Sequence, residues 1–334
     1  MAQGKHSNIS IFVPHVGCPH KCAFCDQRTI TGEEKLPHAE DVWRSCTRAL
    51  GEVSDPDDTE IAFFGGSFTA IPREYMTELL DEAKKFVGKG RFKGIRISTR
   101  PDCINDEILA ILKDSGVTAI ELGAQSMCDD VLLKNERGHS AQDVFDAARL
   151  IRSYGFELGL QLMVGLWGSD MEKERQSMEA IISIRPDTVR IYPVVILRGT
   201  RLGELFLSGE YLPMEFDDVV GLCAEMIERF EAENIRVIKC GLHASEFVEK
   251  DMVGGFYHPA FRELCESLIY RRLFEQETDR VKGCKEAHFS VDRRELSKAL
   301  GQKRSNVIYF ESKGIPLRVT GDGAEGRIRT IDIR

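Results

Sequence analysis

Residues 8–25 read NISIFVPHVGCPHKCAFC, in which a short apolar, β-rich run is followed directly by three clustered cysteines. Similar runs recur along the chain with segments of helical spacing between them, at 59–66, 94–101, 119–126, 157–166, 188–197 and 235–242. Near-continuous apolar strands that alternate with helices indicate parallel βαβ units buried on both faces. The repeat predicts an α/β fold, a full or partial (β/α) barrel, with a doubly wound sheet as the alternative. Functional residues then belong at the C-terminal ends of the strands.

The clustered cysteines, Cys18, Cys22 and Cys25, have the spacing C-x₃-C-x₂-C. Three thiolates can ligate three irons of a [4Fe–4S] cubane and leave the fourth iron open to an outside ligand. S-adenosylmethionine (SAM) can fill that position, and an electron from the cluster then breaks its C–S bond. The alternative is a zinc site completed by His15 or His20, but zinc sites usually present paired ligand units and no second pair is present. The motif therefore predicts a radical SAM cluster.

The remaining cysteines are scattered singly, and each is expected to be a small buried hydrophobe. They are Cys46, Cys103, Cys128, Cys223, Cys240, Cys265 and Cys284. The composition, 42% hydrophobic and 30% charged, is that of an ordinary globular protein. No run approaches the ~20 apolar residues of a membrane span, and the N-terminus lacks a signal-peptide pattern. We expect a cytoplasmic protein with no membrane partner.

The C-terminal residues 281–334 differ from the rest in charge. They contain 12 Lys and Arg against 7 Asp and Glu, a net charge of +5, while the remainder carries −14. Their pattern of strand, helix, turn, helix and strand resembles the minimal core of a KH domain, in which a G-x-x-G turn clamps single-stranded RNA. Here the turn is GQKR, so the second glycine is replaced by Arg304, and Lys303 and Arg304 become the candidate phosphate contacts. The alternative is a small structural cap with an ordinary basic surface.

These patterns divide the chain into a barrel (1–242), a helical connector (243–280) and a basic KH-like α+β unit (281–334).

Several blocks of sequence resemble the Elongator catalytic subunit, a radical SAM enzyme that modifies wobble uridines in tRNA. The sequence resembles even more closely the shorter bacterial relatives of that subunit, which lack its acetyltransferase half. The blocks are VPHVGCPHKCAFCDQ, AFFGGSFT, STRPD, ELGAQS, ERGHS, GLQLMVGL and VRIYPVVILRGT. The resemblance covers about residues 9–245. It implies the partial (β/α) barrel of radical SAM enzymes, with a [4Fe–4S] cluster and SAM as cofactors. It also implies an RNA substrate, in the first place tRNA, and a flavodoxin or ferredoxin as the electron donor.

The resemblance also implies roles for individual residues. Those expected to bind SAM are Phe24, Gly65, Gly66, Ser67, Gln125, Ser126 and Arg137. Those expected on the substrate side are Arg100, Gln161 and Tyr192, of which Arg100, like Arg137, has the bidentate geometry for a carboxylate or phosphate. The residues alone leave structural alternatives open. The glycines could simply form turns, and the arginines could form ion pairs at the surface. Gln161 and Tyr192 could be buried residues in the layers of the barrel.

Three other functions remain as alternatives. Oxygen-independent porphyrinogen oxidases share the barrel but resemble C-x₃-C-x₂-C-x-C, whereas Asp26 and Gln27 follow Cys25 here. A peptide-modifying enzyme would be expected to carry a cysteine-rich auxiliary domain, which the sequence does not contain. The non-catalytic alternative is an RNA-binding module with a structural metal.

Overall fold

A computed structural model describes residues 7–14, 18, 22–26, 35–242, 246–324 and 326–334. His15 and His20, the alternative zinc ligands, lie outside these ranges, as does Gln27.

Seven parallel strands form the main sheet, which curls into a half-barrel. The strands of this part of the chain are β1 (Ser7–Val13), β2 (Thr59–Gly65), β3 (Gly94–Thr99), β4 (Val117–Gln125), β5 (Glu157–Val164), β6 (Thr188–Pro193), β7 (Val195–Leu197) and β8 (Arg236–Cys240). Their order across the sheet is that of the chain, except that β7 leaves the sheet and β8 pairs with β6. The predicted partial barrel is confirmed.

Helices follow most of the strands, and several of them begin at a residue whose side chain caps the first turn. They are α1 (Ala39–Glu52), α2 (Arg73–Lys84), α3 (Asp106–Asp114), α4 (Asp129–Lys134), α5 (Ala141–Ser153), α6 (Met171–Ile184), α7 (Arg201–Ser208) and α8 (Phe216–Ala232). The side chain of Ser140 accepts from the Asp143 N–H and forms a capping box at α5, and Asp170 and Thr200 cap α6 and α7 in the same way. Within the described residues, no helix combines the length and the apolar content needed to cross a bilayer.

The two faces of the sheet differ in chemistry. Residues at alternate strand positions, such as Ile61, Phe63, Ile97 and Leu122, belong to the main hydrophobic core. The intervening positions carry charged residues that are equally buried, namely Glu60, Arg96 and Glu121. The predicted burial of both faces of the sheet is therefore confirmed. Only the face that carries Ile61, Phe63, Ile97 and Leu122 is apolar, whereas the other face carries buried charges.

The predicted strand 188–197 is divided at Val194. Its second half, β7, pairs antiparallel with β9 (Met252–Gly255), which follows the short helix α9 (Glu246–Asp251). Gly255 has φ +92, and a Cβ there would lie 2.4 Å from the Val194 carbonyl oxygen. This close approach requires glycine and lets the two short strands pair outside the barrel.

The C-terminal unit contains the predicted order of elements. Helix α10 (Phe261–Asp279) precedes β10 (Ala287–Ser290), α11 (Leu296–Leu300), α12 (Ser305–Ser312), β11 (Leu317–Thr320) and β12 (Arg329–Ile333). Strand β10 lies between a parallel β11 and an antiparallel β12. Phe274 of α10 stacks on Phe289 at a centroid distance of 4.6 Å and packs in the second core, while Cys265 of the same helix belongs to the main core. Helix α10 is therefore shared by both cores.

Three of the cysteines expected to be isolated are not. Cys223 of α8, Cys240 at the end of β8 and Cys265 of α10 are buried, and their thiols lie close enough to affect one another's ionisation. Interaction with the other two thiols holds the pKa of Cys240 well below its usual range. The prediction of single, separate cysteines was wrong here, because these positions become neighbours only when α8, β8 and α10 pack together.

Candidate active site

The three clustered cysteines lie where β1 and β2 end. The Ser67 backbone N–H donates to Cys18 Sγ at 3.4 Å, which joins the loop after β1 to the turn after β2. The N–H of Ala23, between Cys22 and Cys25, donates to the Asn135 carbonyl at 3.0 Å, and the Ala23 carbonyl accepts from Leu202 at 2.7 Å. The described residues of the cysteine loop, Cys18 and 22–26, thus lie at the C-terminal edge of the sheet, as the sequence predicts.

Cys22 contacts a buried cation. Arg137 Nη1 donates to Cys22 Sγ at 3.4 Å, and Arg137 Nη2 donates to the Gly123 carbonyl at 2.7 Å. Gly123 leaves room for this contact, because a Cβ there would lie 2.8 Å from Arg137 Nη2 and 2.7 Å from Gln125 Nε2. Gly123 was not identified from the sequence, although it lies inside the ELGAQS block.

The three thiols are close enough to affect one another's ionisation. Burial, followed by the neighbouring Cys22 and Cys18, raises the pKa of Cys25 to about 12. Three thiolates in such a place need a bound cationic group to be stable together. In the part of the chain that is described, no three His, Cys, Asp or Glu side chains converge as ligands of one metal ion. A cubane makes a different demand, since each thiolate ligates a separate iron, and the donor set fits that arrangement.

The turn after β2 depends on Gly65. Its φ is +120, and a Cβ there would lie 2.3 Å from the Val13 carbonyl oxygen. The Gly66 N–H donates to that same carbonyl at 3.0 Å, and Ser67 is buried. The sequence correctly singled out this turn, but the close approach seen in the structure is to β1; the contact with SAM stays a prediction.

At the end of β4, Gln125 and Ser126 have different environments. Gln125 has φ +65, a conformation that is costly for a non-glycine residue and is concentrated at functional sites. The Ser126 hydroxyl lies 3.3 Å from the Ser177 hydroxyl of α6 and accepts from the Cys128 N–H at 3.2 Å. Gln125 is therefore the better SAM candidate of the two, since the Ser126 hydroxyl already has partners.

Arg100 and Phe24 complete the predicted residues at this edge. Arg100 donates in bidentate fashion to Asp102, with distances of 2.8 and 2.7 Å, and its Nη2 also donates to the Arg137 carbonyl at 2.6 Å. Arg100 thereby supports the loop that carries Arg137, and its contact with a substrate stays a prediction. Phe24 is partly buried against the main core.

Gln161 and Tyr192 lie on the polar face of the sheet. Gln161 Nε2 donates to Glu121 at 2.9 Å and to Ser98 Oγ at 3.4 Å. Tyr192 hydrogen-bonds to Arg190, which also packs over the Phe64 ring at 5.0 Å.

A network of buried ion pairs on this face was not identified from the sequence. Arg96, fully buried, contacts three carboxylates: Glu60 at 2.7 Å, Glu157 at 2.6 Å and Glu121 at 3.4 Å. Arg190 binds Glu121 from the other side. The available signal was a charged or polar residue at every second position of otherwise apolar strands, as in Arg96-Ile97-Ser98 and Arg190-Ile191-Tyr192.

Lys303 and Arg304 lie apart from these residues, in the turn between α11 and α12. Both are exposed and both have a positive φ, +52 and +62. Gly301, which opens the turn, has φ +78, and a Cβ there would lie 2.3 Å from Ser305 Oγ. The predicted basic turn is present, and its contact with RNA stays a prediction.

Solved structures share this fold. The archaeal Methanocaldococcus infernus Elp3 with an N-terminal deletion superposes with a TM-score of 0.62 at 20% identity, covering 80% of this chain and 63% of that one. Methylornithine synthase superposes with a TM-score of 0.50 at 13% identity, covering 98% and 75%. Both likenesses show the fold.

Sequence comparisons find curated relatives of this chain. The chain is 29% identical over 255 residues to a tRNA uridine(34) acetyltransferase of Methanocaldococcus infernus, covering 64% of this chain and 47% of that protein. It is 30% identical over 200 residues to Elongator complex protein 3 of Schizosaccharomyces pombe, covering 54% and 36%. The chain spans about half the length of the first curated relatives it matches. These matches confirm the resemblance predicted from the motifs.

The family models agree with the position of the cysteine loop and the barrel. Residues 186–271 match the model described as the Radical_SAM C-terminal domain. Residues 12–181, more than half of the sequence, match the model of the radical SAM superfamily, and the chain therefore belongs to that superfamily of enzymes.

Proposed function

We propose that this enzyme holds a [4Fe–4S] cluster on Cys18, Cys22 and Cys25, cleaves SAM reductively at it, and modifies an RNA, most favourably tRNA. The observation that carries the proposal is the fixed cysteine loop at the C-terminal edge of the half-barrel, with Cys22 beside Arg137 and Cys18 beside the Ser67 N–H. When bound, the cluster and SAM supply a 5′-deoxyadenosyl radical that abstracts hydrogen. Everything else is left to the protein: binding, orientation and exclusion of water.

The residues of this chain divide these tasks by position. The Ser67 N–H and the Arg137 guanidinium donate to the sulfur ligands and hold them in place. Gln125 is the proposed residue that orients SAM, and its positive φ beside Gly123 supports this role. Gln161 and Tyr192 on the polar face are the proposed substrate contacts, and Glu121 fixes Gln161 by accepting its amide N–H.

Two observations support RNA as the substrate. Relatives of the barrel are named as tRNA uridine(34) acetyltransferases and Elongator proteins, and the exposed turn with Lys303 and Arg304 lies in a C-terminal unit of net charge +5. A porphyrinogen or a peptide is less favoured, because the curated sequence relatives described above carry tRNA and Elongator names. A flavodoxin or ferredoxin as the donor and a cytoplasmic location stay predictions.

The cluster is tested by anaerobic reconstitution of the full chain. We expect about four irons and four sulfides per chain, and release of 5′-deoxyadenosine and methionine from SAM after reduction. Cys18→Ala, Cys22→Ala and Cys25→Ala should each abolish both iron binding and cleavage. Cys284→Ala is the matched control, because this half-exposed thiol donates to the Glu286 carbonyl in the C-terminal unit, and the variant should match the wild type. A protein that binds one zinc and no iron would refute the proposal.

The substrate is tested by mass spectrometry of nucleosides from a deletion strain. We expect one modified nucleoside of tRNA to be lost, and to return with the wild-type gene but not with Cys22→Ala. Unchanged tRNA and ribosomal RNA nucleosides would refute an RNA substrate while leaving the cluster test untouched.

A further inference from the structure

Arg137 is a buried guanidinium in an unusual backbone setting. It is only 7% exposed, and it lies between Glu136, with φ +54, and Gly138, with φ +75. The short segment is held at both ends: the Asn135 carbonyl accepts from Ala23 in the cysteine loop, and the Arg137 carbonyl accepts from Arg100. The backbone therefore fixes the side chain against the cysteine loop.

Within the described ranges, the guanidinium hydrogen-bonds to a thiol and a carbonyl but to no carboxylate. A buried charge without an opposite charge is strongly destabilising. The nearby Asp102 carboxylate is bound in bidentate fashion by a second buried guanidinium, that of Arg100. That carboxylate therefore compensates the charge of Arg100, and the positive charge of Arg137 faces Cys22 and Cys25.

We propose that Arg137 is the counter-ion of the cluster, a positioning residue that raises the reduction potential of the metal centre through Cys22. This inference rests on the proposed function. Three thiolates on a [4Fe–4S]²⁺ core give a net charge of −1, and uptake of one electron makes it −2. A fixed positive charge in a poorly solvated site stabilises the reduced cluster, with net charge −2, more than the oxidised cluster, with net charge −1. Hydrogen bonds to ligand sulfur act in the same direction.

The resemblance gave Arg137 a different role, as a ligand of the SAM carboxylate. In the structure both terminal nitrogens are already engaged, Nη1 by Cys22 and Nη2 by Gly123. The two roles differ in what they control. A counter-ion of the cluster changes the midpoint potential measured without SAM, whereas a carboxylate ligand changes only the dissociation constant of SAM.

The experiment is a redox titration of the reconstituted full chain without SAM, followed by the absorbance of the cluster and the EPR signal of its reduced form. In Arg137→Met and Arg137→Gln we expect the equilibrium constant for reduction to fall about tenfold, which is about 59 mV for a one-electron couple. In Arg137→Lys, which keeps the charge, the fall should be smaller. Arg175→Met is the matched control, because it removes an arginine paired with Glu225 outside this site, and its potential should equal that of the wild type.

The outcomes separate the two proposals. A wild-type chain without a [4Fe–4S] cluster refutes the proposed function itself. Full iron in all variants with unchanged potentials overturns only the counter-ion role. Loss of iron from both neutral variants but not from Arg137→Lys supports that role, because the charge is then what retains the cluster. Loss of iron from all three variants overturns it and makes Arg137 a packing residue.

Discussion

Arg190 of β6 forms a bidentate ion pair with Glu121 of β4, with Nε–Oε2 and Nη2–Oε1 distances of 2.7 and 3.0 Å, although β5 lies between the two strands. The pair passes over Gly159 of β5, where a Cβ would lie 2.8 Å from Glu121 Cγ. A glycine at this position thus lets opposite charges meet across an intervening strand.

Glu121→Gln should strongly destabilise the fold. The substitution removes the charge that Arg190 and Arg96 share, and breaking a buried pair costs about 3–5 kcal/mol because it leaves the cation uncompensated. We expect that loss in the free energy of unfolding, measured by urea denaturation. Glu179→Gln, which breaks an exposed pair with Arg229, should cost less than about 1 kcal/mol. Equal effects of the two substitutions would contradict the role of the network.

Gly123→Ala should impair the active site while leaving the barrel folded. The new methyl group would press on Arg137 Nη2 and Gln125 Nε2, both of which are ends of side chains that can move. We expect at least tenfold weaker SAM binding, measured by equilibrium dialysis, and an unchanged circular dichroism spectrum. Gly51→Ala is the control, since a Cβ there meets nothing within 4 Å. Normal SAM affinity in Gly123→Ala would contradict the arrangement described.

Glu174 should make the folded state less stable as the pH rises. Burial raises the pKa of this carboxyl from 4.5 to about 7, so the folded chain holds a proton that the unfolded chain has already released. The contribution of Glu174 to the free energy of unfolding is therefore fully present below pH 4.5. It is lost as the pH rises from about 4.5 to 7 and does not change further above that pH. The total is on the order of 3 kcal/mol, from 1.36 kcal/mol per pKa unit.

Glu174→Gln should remove this part of the pH dependence and still accept the Gly165 N–H, as the carboxylate does at 2.8 Å. Urea denaturation between pH 4.5 and 8 measures this pH dependence as the difference between the free energies of unfolding of the variant and the wild type. The exposed Glu172→Gln on the same helix should reproduce the wild-type curve, and identical curves for all three proteins would contradict the shifted pKa.

Replacing the cysteines Cys240 and Cys265 by alanine should lower stability without removing iron. Their thiols fill buried space beside Cys223, so each loss is expected to cost about 1–2 kcal/mol. Iron content should stay at the wild-type value, as it should when Cys284, outside this group, is replaced. Loss of about half the iron would instead show a second cluster.

Lys303→Asn with Arg304→Asn should weaken RNA binding and reduce its salt dependence. Asparagine tolerates the positive φ of both residues, so the turn is kept while its charge is removed. The binding constant K falls as salt is added, and each lost phosphate contact reduces the magnitude of the slope of log K against log salt concentration by about 0.7–0.9. Filter binding to total tRNA across a salt series measures this.

The control for the turn is Lys282→Asn with Lys285→Asn, which removes the same charge from exposed positions elsewhere in the unit. Equal losses in the two double variants would show that only net charge matters, and no RNA affinity in the wild type would refute RNA binding by this unit.

The sequence predicted best what depends on neighbouring residues. The cysteine spacing, the turn at Gly65 and the strand end at Gln125 all belong to short continuous motifs, and the structure places them at one edge of the sheet. The order of the C-terminal elements follows in the same way from local periodicity.

Long-range pairing could not be predicted in this way. Cys223, Cys240 and Cys265 lie on separate elements, and nothing in their spacing shows that packing brings them together. Glu121 and Arg190 were visible as charges within apolar strands, but their pairing depends on the curl of the sheet and on the space left at Gly159. The break at Val194 depends on pairing with β9, which lies far along the chain.

Because α10 supplies Cys265 to one core and Phe274 to the other, no cut in the polypeptide between residues 261 and 279 would leave both halves with a complete interior. A gene rearrangement that removed the basic unit would also strip the barrel of a supporting helix or leave its aromatic face exposed. Substitutions in α10 are therefore expected to change the packing of the barrel and of the C-terminal unit together.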